Sequence, residues 1–173
     1  VEVAPLGWHT TQGQEEALAW SSVSTAVPGT LSDIGAGAEN SRLVYSQLGS
    51  SSAGFNVIVN KTIGGKSDWF VPSLGELEKV YENLWATGLD AFTSSRNVLS
   101  STEDPSNTSQ AMQVWNVGGI VAGVSKTIGY YMRPIRAFGG TTTPTESDSY
   151  TAQGHNLTFG VGAASNYVNV VYE

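Results

Sequence analysis

The chain reads as an α+β protein, and three observations carry that reading. Apolar residues recur at helical spacing in two early stretches that end on glycine, Ala38–Leu48 and Leu74–Trp85. From Thr87 onward that period gives way to short extended runs separated by Gly, Pro, Asn and Asp. Between the two regimes lies Gly64–Leu77, a loop, an extended segment and a helix start, around which the rest is organised.

The elements follow in order. Residues 1–12 read as a leading strand with a turn at Gly7-Trp8. Gln14–Ser21 fits a short helix or a strand equally well. Val23–Gly37, with Pro28-Gly29, is a loop. Ala38–Leu48 is a first helix stopped by Gly49. Phe55–Val59 is expected as a short strand or buried segment. Pro72 holds Val71 extended. Ser73 and Glu76 then form a capping box, and Leu74, Leu77, Val80, Tyr81, Leu84 and Trp85 give a second helix one apolar face, with Glu76, Glu78, Lys79, Glu82 and Asn83 opposite and Gly88 as the stop. Val98–Thr102 is extended and Glu103–Asn107 is a turn. Met112–Val117 and Ile120–Val124 form a hairpin about Gly118-Gly119. Tyr130–Phe138 is a strand that Pro134 makes an edge or bulged one. Gly139–Asp148 reads as a linker, and His155–Val161 and Tyr167–Tyr172 as two final strands. The expected division is a domain over 1–140 and a linker with a C-terminal β segment over 141–173.

Composition narrows the function classes. Only 13% of the 173 residues are charged, with Gly, Ser, Thr and Asn plentiful instead, a balance typical of extracellular and virion proteins. The net charge of −7, with scattered Lys and Arg, argues against a nucleic-acid partner. No apolar run approaches the ~20 residues of a membrane span. Cys is absent, which removes disulfides, thiolate metal sites and Cys nucleophiles. The chain starts at Val1, as a processed protein or an excerpt would.

Catalytic motifs fail on inspection. Gly64-Gly65-Lys66-Ser67 ends like a phosphate loop, but Asn60 stands where that motif needs its first Gly. Gly49-Ser50-Ser51-Ser52 lacks the closing Gly of a nucleophile elbow, Ala53 replacing it. His9 and His155 lie at opposite ends of the chain, which disfavours a triad or a zinc site. Glu103 and Asp104 beside Asn107 could offer oxygens to Ca²⁺, but a solvated Asp-Pro turn is the simpler reading. No catalytic residue, cofactor or metal site is expected.

Three ordered stretches resemble the prokaryotic and phage C-type-lectin-like module, distantly related to formylglycine-generating enzyme and to the variable proteins of diversity-generating retroelements. Gly64-Gly65-Lys66-Ser67-Asp68-Trp69-Phe70-Val71-Pro72-Ser73-Leu74-Gly75-Glu76-Leu77 is similar to its G-G-x-x-D-W-x-L-P-S-x-x-E-L signature. Ser100-Ser101-Thr102-Glu103 is similar to its S-S-T-E signature, with Leu99 where an aromatic is usual. Met132–Phe138 is similar to its closing V-R-P-V-R-A-F. The resemblance spans roughly residues 7–140. It implies a C-type-lectin-like fold of two helices and a twisted antiparallel sheet, here with a C-terminal β extension. The family's enzymes depend on cysteine chemistry, which this chain lacks, so a non-enzymatic module is expected.

In the retroelement variable proteins the ligand surface lies between the S-S-T-E loop and the Arg-Pro strand, here Ala111–Tyr131. The ligand-binding candidates are accordingly Gln113, Trp115, Val117, Ile120, Ser125, Thr127 and Tyr130. This stretch is less polar than in such relatives. It is expected either to bind a partner through Trp115, Ile120 and Tyr130 as anchors, or to be covered by another subunit or by residues 141–173. The expected function is surface recognition, on a phage fibre, tail or capsid-associated protein that binds a host receptor or glycan. The alternative is a structural or decoration module that mediates oligomerisation or attachment to the virion. Expected partners are a host-surface receptor or glycan, other virion or cell-surface proteins, and further copies of the chain, at the virion surface or outside the cell. Trp69, Trp85 and Phe138 are expected as core aromatics, and Arg133 and Arg136 as a pair sharing one strand face and bound to Asp68 or Glu76.

Overall fold

The computed structural model describes residues 1–9, 17–89 and 95–137, together with the strands at 149–152, 155–161 and 168–172. Among these residues the protein is mixed α+β, with three helices and several small antiparallel sheets. It divides into two compact units, Val1–Ala137 and Phe138–Glu173.

The first unit opens with β1 (Glu2–Val3) and β2 (Leu18–Ala19), then α1 (Gly37–Leu48). A 3-10 turn at Gly49–Ser51 leads into α2 (Ala53–Val59). Phe55–Val59, expected as a short strand or buried segment, is thus helical, with Phe55 and Ile58 buried. Val57, Ile58 and Val59 are β-branched and imitate a strand, yet Gly54, Phe55 and Ile58 recur at helical spacing and are the residues buried. Gly54 allows close packing here, since a Cβ would crowd the Met132 thioether and come within 3.0 Å of the Ala19 carbonyl. α3 (Leu74–Val80) begins at the Ser73–Glu76 capping box. It continues as one π-type turn over Tyr81–Trp85, where the Ala86 N–H reaches the Tyr81 carbonyl at 2.8 Å, and Gly88 (φ 73°) ends it.

The central sheet has three antiparallel strands in the order β3 (Asn97–Glu103), β4 (Gln110–Trp115), β5 (Val121–Ser125). Both faces of β3 are covered. Val98 joins a core with Leu77, Val80, Trp85, Val114 and Ile135, on the α3 side. Leu99 joins the other core, with Trp20, Val44, Phe55, Trp69, Val71 and Met132. A continuous buried run in β3 is the result.

The strand expected over 130–138 is two separate pieces. β6 (Gly129–Tyr130) pairs with β2, and β7 (Ile135–Arg136) pairs with β1. Pro134 between them has no N–H to give a ladder, and its carbonyl accepts from Ala4 N–H at 2.9 Å instead. The arginines therefore share no strand. Arg136 donates to both Asp68 oxygens, at 2.7 and 2.9 Å, and to Glu2 at 2.9 Å. These bonds hold the Asp68 carboxyl below the usual carboxylate range. Arg133 is buried and donates its Nε to the Ala4 carbonyl, not to Asp68 or Glu76. Trp69 and Trp85 are buried as expected, while Phe138, the linker 139–148 and Tyr167 lie outside the described residues.

The second unit is a three-stranded antiparallel meander of β8 (Ser149–Ala152), β9 (His155–Val161) and β10 (Val168–Tyr172), with β9 central. No helix among the described residues is long and apolar enough to cross a membrane.

Candidate functional site

The β4–β5 hairpin carries most of the expected ligand-binding residues. Its turn is longer than the two glycines predict. β4 stops at Trp115 and β5 starts at Val121, so Val117 and Ile120 belong to the connection. The Trp115 N–H donates to Ile120 O at 2.8 Å, and the Gly119 N–H to Trp115 O at 3.1 Å. Gly118 and Gly119 both take positive φ, 81° and 65°. Gly119 has a second reason to be glycine. A Cβ there would lie 2.5 Å from Tyr81 Cε1, so the turn rests directly on the ring carried by the π-type turn.

The base of the turn is tied to the segment before β3. Asn116 N–H donates to Arg96 O at 3.0 Å, and Asn116 Oδ1 accepts from Arg96 N–H at 2.6 Å. The Trp115 indole N–H donates to Ser95 Oγ, and the Arg96 guanidinium lies 4.4 Å above the Tyr131 ring. On this braced frame Val117 and Ile120 are 54% and 52% exposed, with Trp115 half-buried beside them. The tip therefore offers apolar contact at Val117 and Ile120, with the Ser95 hydroxyl and the Arg96 guanidinium at its base.

The remaining candidates lie elsewhere. Gln113 is only 4% exposed, opposite Leu99 and Ala122, and its Oε1 has no hydrogen-bond partner among the described residues. Ser125 and Thr127 share a hydroxyl hydrogen bond at 3.1 Å, at the far end of β5, about 14 Å from the tip at ~3.4 Å per residue. Tyr130 is partly buried against the Trp20 core. Thus Trp115, Val117 and Ile120 come together, Ser125 and Thr127 form a second group, and Gln113 and Tyr130 face inward.

At that far end of the sheet sits a buried polar cluster that the sequence reading missed. Lys126 is 0% exposed, and its ammonium donates to Glu103 Oε2 and to Thr25 O at 3.0 Å, lying 4.5 Å from the Trp20 ring. Glu103 Oε2 also accepts from Val27 N–H at 2.6 Å. Side chains of Asn40, Thr102 and Glu76 do the same for the rest of the loop. Asn40 brackets Leu31, accepting its N–H at 2.9 Å and donating to its carbonyl at 2.7 Å. Thr102 Oγ1 donates to Leu31 O at 3.0 Å and accepts from Leu74 N–H at 3.0 Å. Glu76, expected on the solvent face of its helix, is buried. Its carboxylate accepts from the N–H groups of Gly35, Gly37 and Ser73 at 3.1, 3.1 and 2.8 Å, so it caps α1 as well as α3. A lone Lys after a strand carries no local signal for this role. Only the spacing of Ser73 and Glu76 was readable. With Glu103 committed to Lys126 and Val27, and Asp104 Oδ1 accepting from Ser106 N–H at 2.8 Å, this corner is a turn built for itself. Among the described residues no three His, Asp or Glu are grouped to hold a metal ion.

Compared with known proteins, the chain matches no family model, and no curated protein matches it in sequence.

Proposed function

We propose that this chain is a non-enzymatic recognition module, C-type-lectin-like in fold, displayed on a virion or another extracellular surface, where its hairpin end engages a host receptor or glycan. The observation that carries the reading is the tip itself. Val117 and Ile120 are held out to solvent on a turn whose backbone is fixed by Gly119 against Tyr81 and by Asn116 against Arg96. Flexible tips expose apolar residues at little consequence. A braced one presents them in a single arrangement, which lowers the ordering cost of binding. Two aliphatic residues beside a half-buried indole suit an apolar patch of a protein or the carbon face of a sugar ring. The ordered motifs described above support the fold reading, and within them Ser73, Glu76, Thr102 and Glu103 are taken up by structural hydrogen bonds.

The test is binding of the labelled chain to bacterial envelopes and to a glycan panel, repeated with Val117→Ser/Ile120→Ser. The expected result is saturable binding that weakens at least about tenfold in the variant, as loss of two contact side chains predicts. Saturable binding of equal strength in both proteins would move the recognition surface away from the tip.

A further inference from the structure

We infer that the outer edge of β5 is a docking site for an extended peptide segment of a partner protein, which adds to the sheet as a further strand and sets a Lys or Arg beside Asp104. The hydrogen-bond parity of the hairpin fixes which groups face outward. In an antiparallel ladder alternate residues spend both backbone groups on the same neighbouring strand. The Trp115 N–H donates to Ile120 O at 2.8 Å, and the Lys126 N–H to Ser109 O at 3.3 Å. Between those two bonds Gln113 stands opposite Ala122 and Ala111 opposite Val124. Residues 120, 122, 124 and 126 therefore bond toward β4. Val121, Gly123 and Ser125 turn their backbone N–H and C=O groups away from it. No group among the described residues bonds to those outward amides and carbonyls.

The opposite side of the sheet is treated differently. There the Leu99 N–H donates to Tyr131 O at 2.8 Å and the Tyr131 N–H to Asn97 O at 3.0 Å, so the chain closes that edge itself. Edge strands are ordinarily blunted by charge, by Pro, by a bulge or by cover. β5 reads Val121-Ala122-Gly123-Val124-Ser125, with no charge and no Pro, and it pairs with β4 without a shift of register. Its outward N–H and C=O groups recur every second residue, about 6.8 Å apart. Another extended backbone matches that repeat, whereas a helix has spent its own groups internally.

Charge selects the occupant. The place a Cβ would take on Gly123 is filled by the Asp104 carboxylate and, at 2.7 Å, by Gln110 Oε1. Asp104 Oδ1 accepts from Ser106 N–H at 2.8 Å, but Asp104 Oδ2 and Gln110 Oε1 accept no hydrogen bond among the described residues. Two acceptors thus stand over the middle of the open edge. A residue paired opposite Gly123 shares that face, its Cβ about 5 Å away, and a Lys or Arg there can donate to both. Two residues further on, the same face meets exposed Val121 and suits an aliphatic side chain. A second copy of the chain fits worse. Full pairing of two β5 strands about a two-fold axis centres on Gly123, and it brings two Asp104 carboxylates together between chains of net charge −7. The site does not depend on what Val117 and Ile120 bind.

The experiment titrates the capped peptide Thr-Val-Thr-Lys-Thr-Val-Thr into the isotope-labelled full chain and follows amide hydrogen exchange by NMR. In the free chain the amides of Val121, Gly123 and Ser125 should exchange fast while those of Ala122 and Val124 are protected. Near saturation the peptide should slow the first three about tenfold, in proportion to the occupied fraction. Glu in place of the peptide's Lys should weaken binding roughly tenfold, as exchange of an opposite for a like charge across a strand pair predicts. Asp104→Asn should remove most of that preference, and N-methylation of the peptide's Lys should abolish binding by both proteins. Amides at Val121, Gly123 and Ser125 that are already protected in the free chain would overturn the inference, light scattering then telling a doubled mass, a copy on the edge, from cover by the chain itself. No slowing at millimolar peptide, or binding indifferent to N-methylation or to Lys against Glu, would overturn it too.

Discussion

The two ends of the central sheet are built on opposite principles. At one end the backbone between Val27 and Gly37 lies over the close of β3, where Asn40, Ser73, Glu76, Thr102 and Glu103 take up its amides and carbonyls one by one. At the other end the connection between β4 and β5 is short, fixed by two glycines at positive φ and one aromatic contact, and it turns aliphatic side chains to water. The first end uses polar side chains to hold a long irregular loop that has no ladder to fix its backbone, although most of the loop, Leu31 and Ile34 included, is open to solvent. The second needs fewer such bonds, chiefly that from Arg96 N–H to Asn116 Oδ1 and that from the Trp115 indole to Ser95 Oγ. The difference teaches where to look for function. Polar residues that resemble a motif hold the scaffold at the first end, and aliphatic side chains stand in solvent at both, Leu31 and Ile34 there and Val117 and Ile120 at the hairpin.

The comparison breaks most sharply at Lys126. Lys126→Met fills the same space beside the Trp20 ring but leaves Glu103, 9% exposed, with its charge uncompensated. Removing one member of a buried pair costs about 3–5 kcal/mol. Urea unfolding followed by tryptophan emission should therefore show a loss near 4 kcal/mol. Lys126→Met/Glu103→Leu should recover much of it, short of the hydrogen bond to Val27 N–H. A single substitution that unfolds like wild type would mean the pair is not sealed from water, and the contrast between the ends would lose its basis.

How much of this was readable beforehand follows from the same contrast. The helix at Leu74 and its cap were legible because Ser73 and Glu76 act within one turn of each other, a spacing the sequence displays directly. The turn at Gly118-Gly119 was legible for the same local reason, though its true length was not, because Ile120 is held by a backbone bond to Trp115 that any residue could make. The second task of Glu76, at Gly35 and Gly37, was hidden: its partners lie some forty positions upstream. Lys126 and Glu103 meet across 23 positions with no pattern between them. At α2 only the burial of Phe55 and Ile58 was legible, not the helix, because side-chain branching and burial spacing give contrary signals over a single short stretch, and burial in the Trp20 core won. Of the binding candidates, those at the hairpin tip emerged together. Gln113 and Tyr130 could not be told from exposed residues without knowing that β4 and β6 have a covered face.

A smaller effect is expected where the tip meets the body. Gly119→Ala introduces a Cβ into the Tyr81 ring and asks an L-residue to hold φ 65°. The left-handed conformation alone costs about 1–2 kcal/mol, and the ring must shift besides, so a loss of about 2 kcal/mol is expected in the same unfolding experiment. Tyr81→Ala with Gly119→Ala should recover only the steric part. Should Gly119→Ala prove neutral, the turn is not braced, and the case for a preset binding surface falls with it.

The smallest effect is the most telling for function. Val117 and Ile120 reach into solvent and take no part in either core. Substituting both with Ser should change unfolding free energy by less than about 0.5 kcal/mol, the range of surface changes remote from special features. Residues that contribute so little to their own fold, yet are aliphatic and held in place, are the ones whose presence calls for a partner. A measured loss of 2 kcal/mol or more would show instead that the tip packs against part of this protein in solution. The two ends of the sheet would then both be scaffold, and recognition would have to be sought on another face.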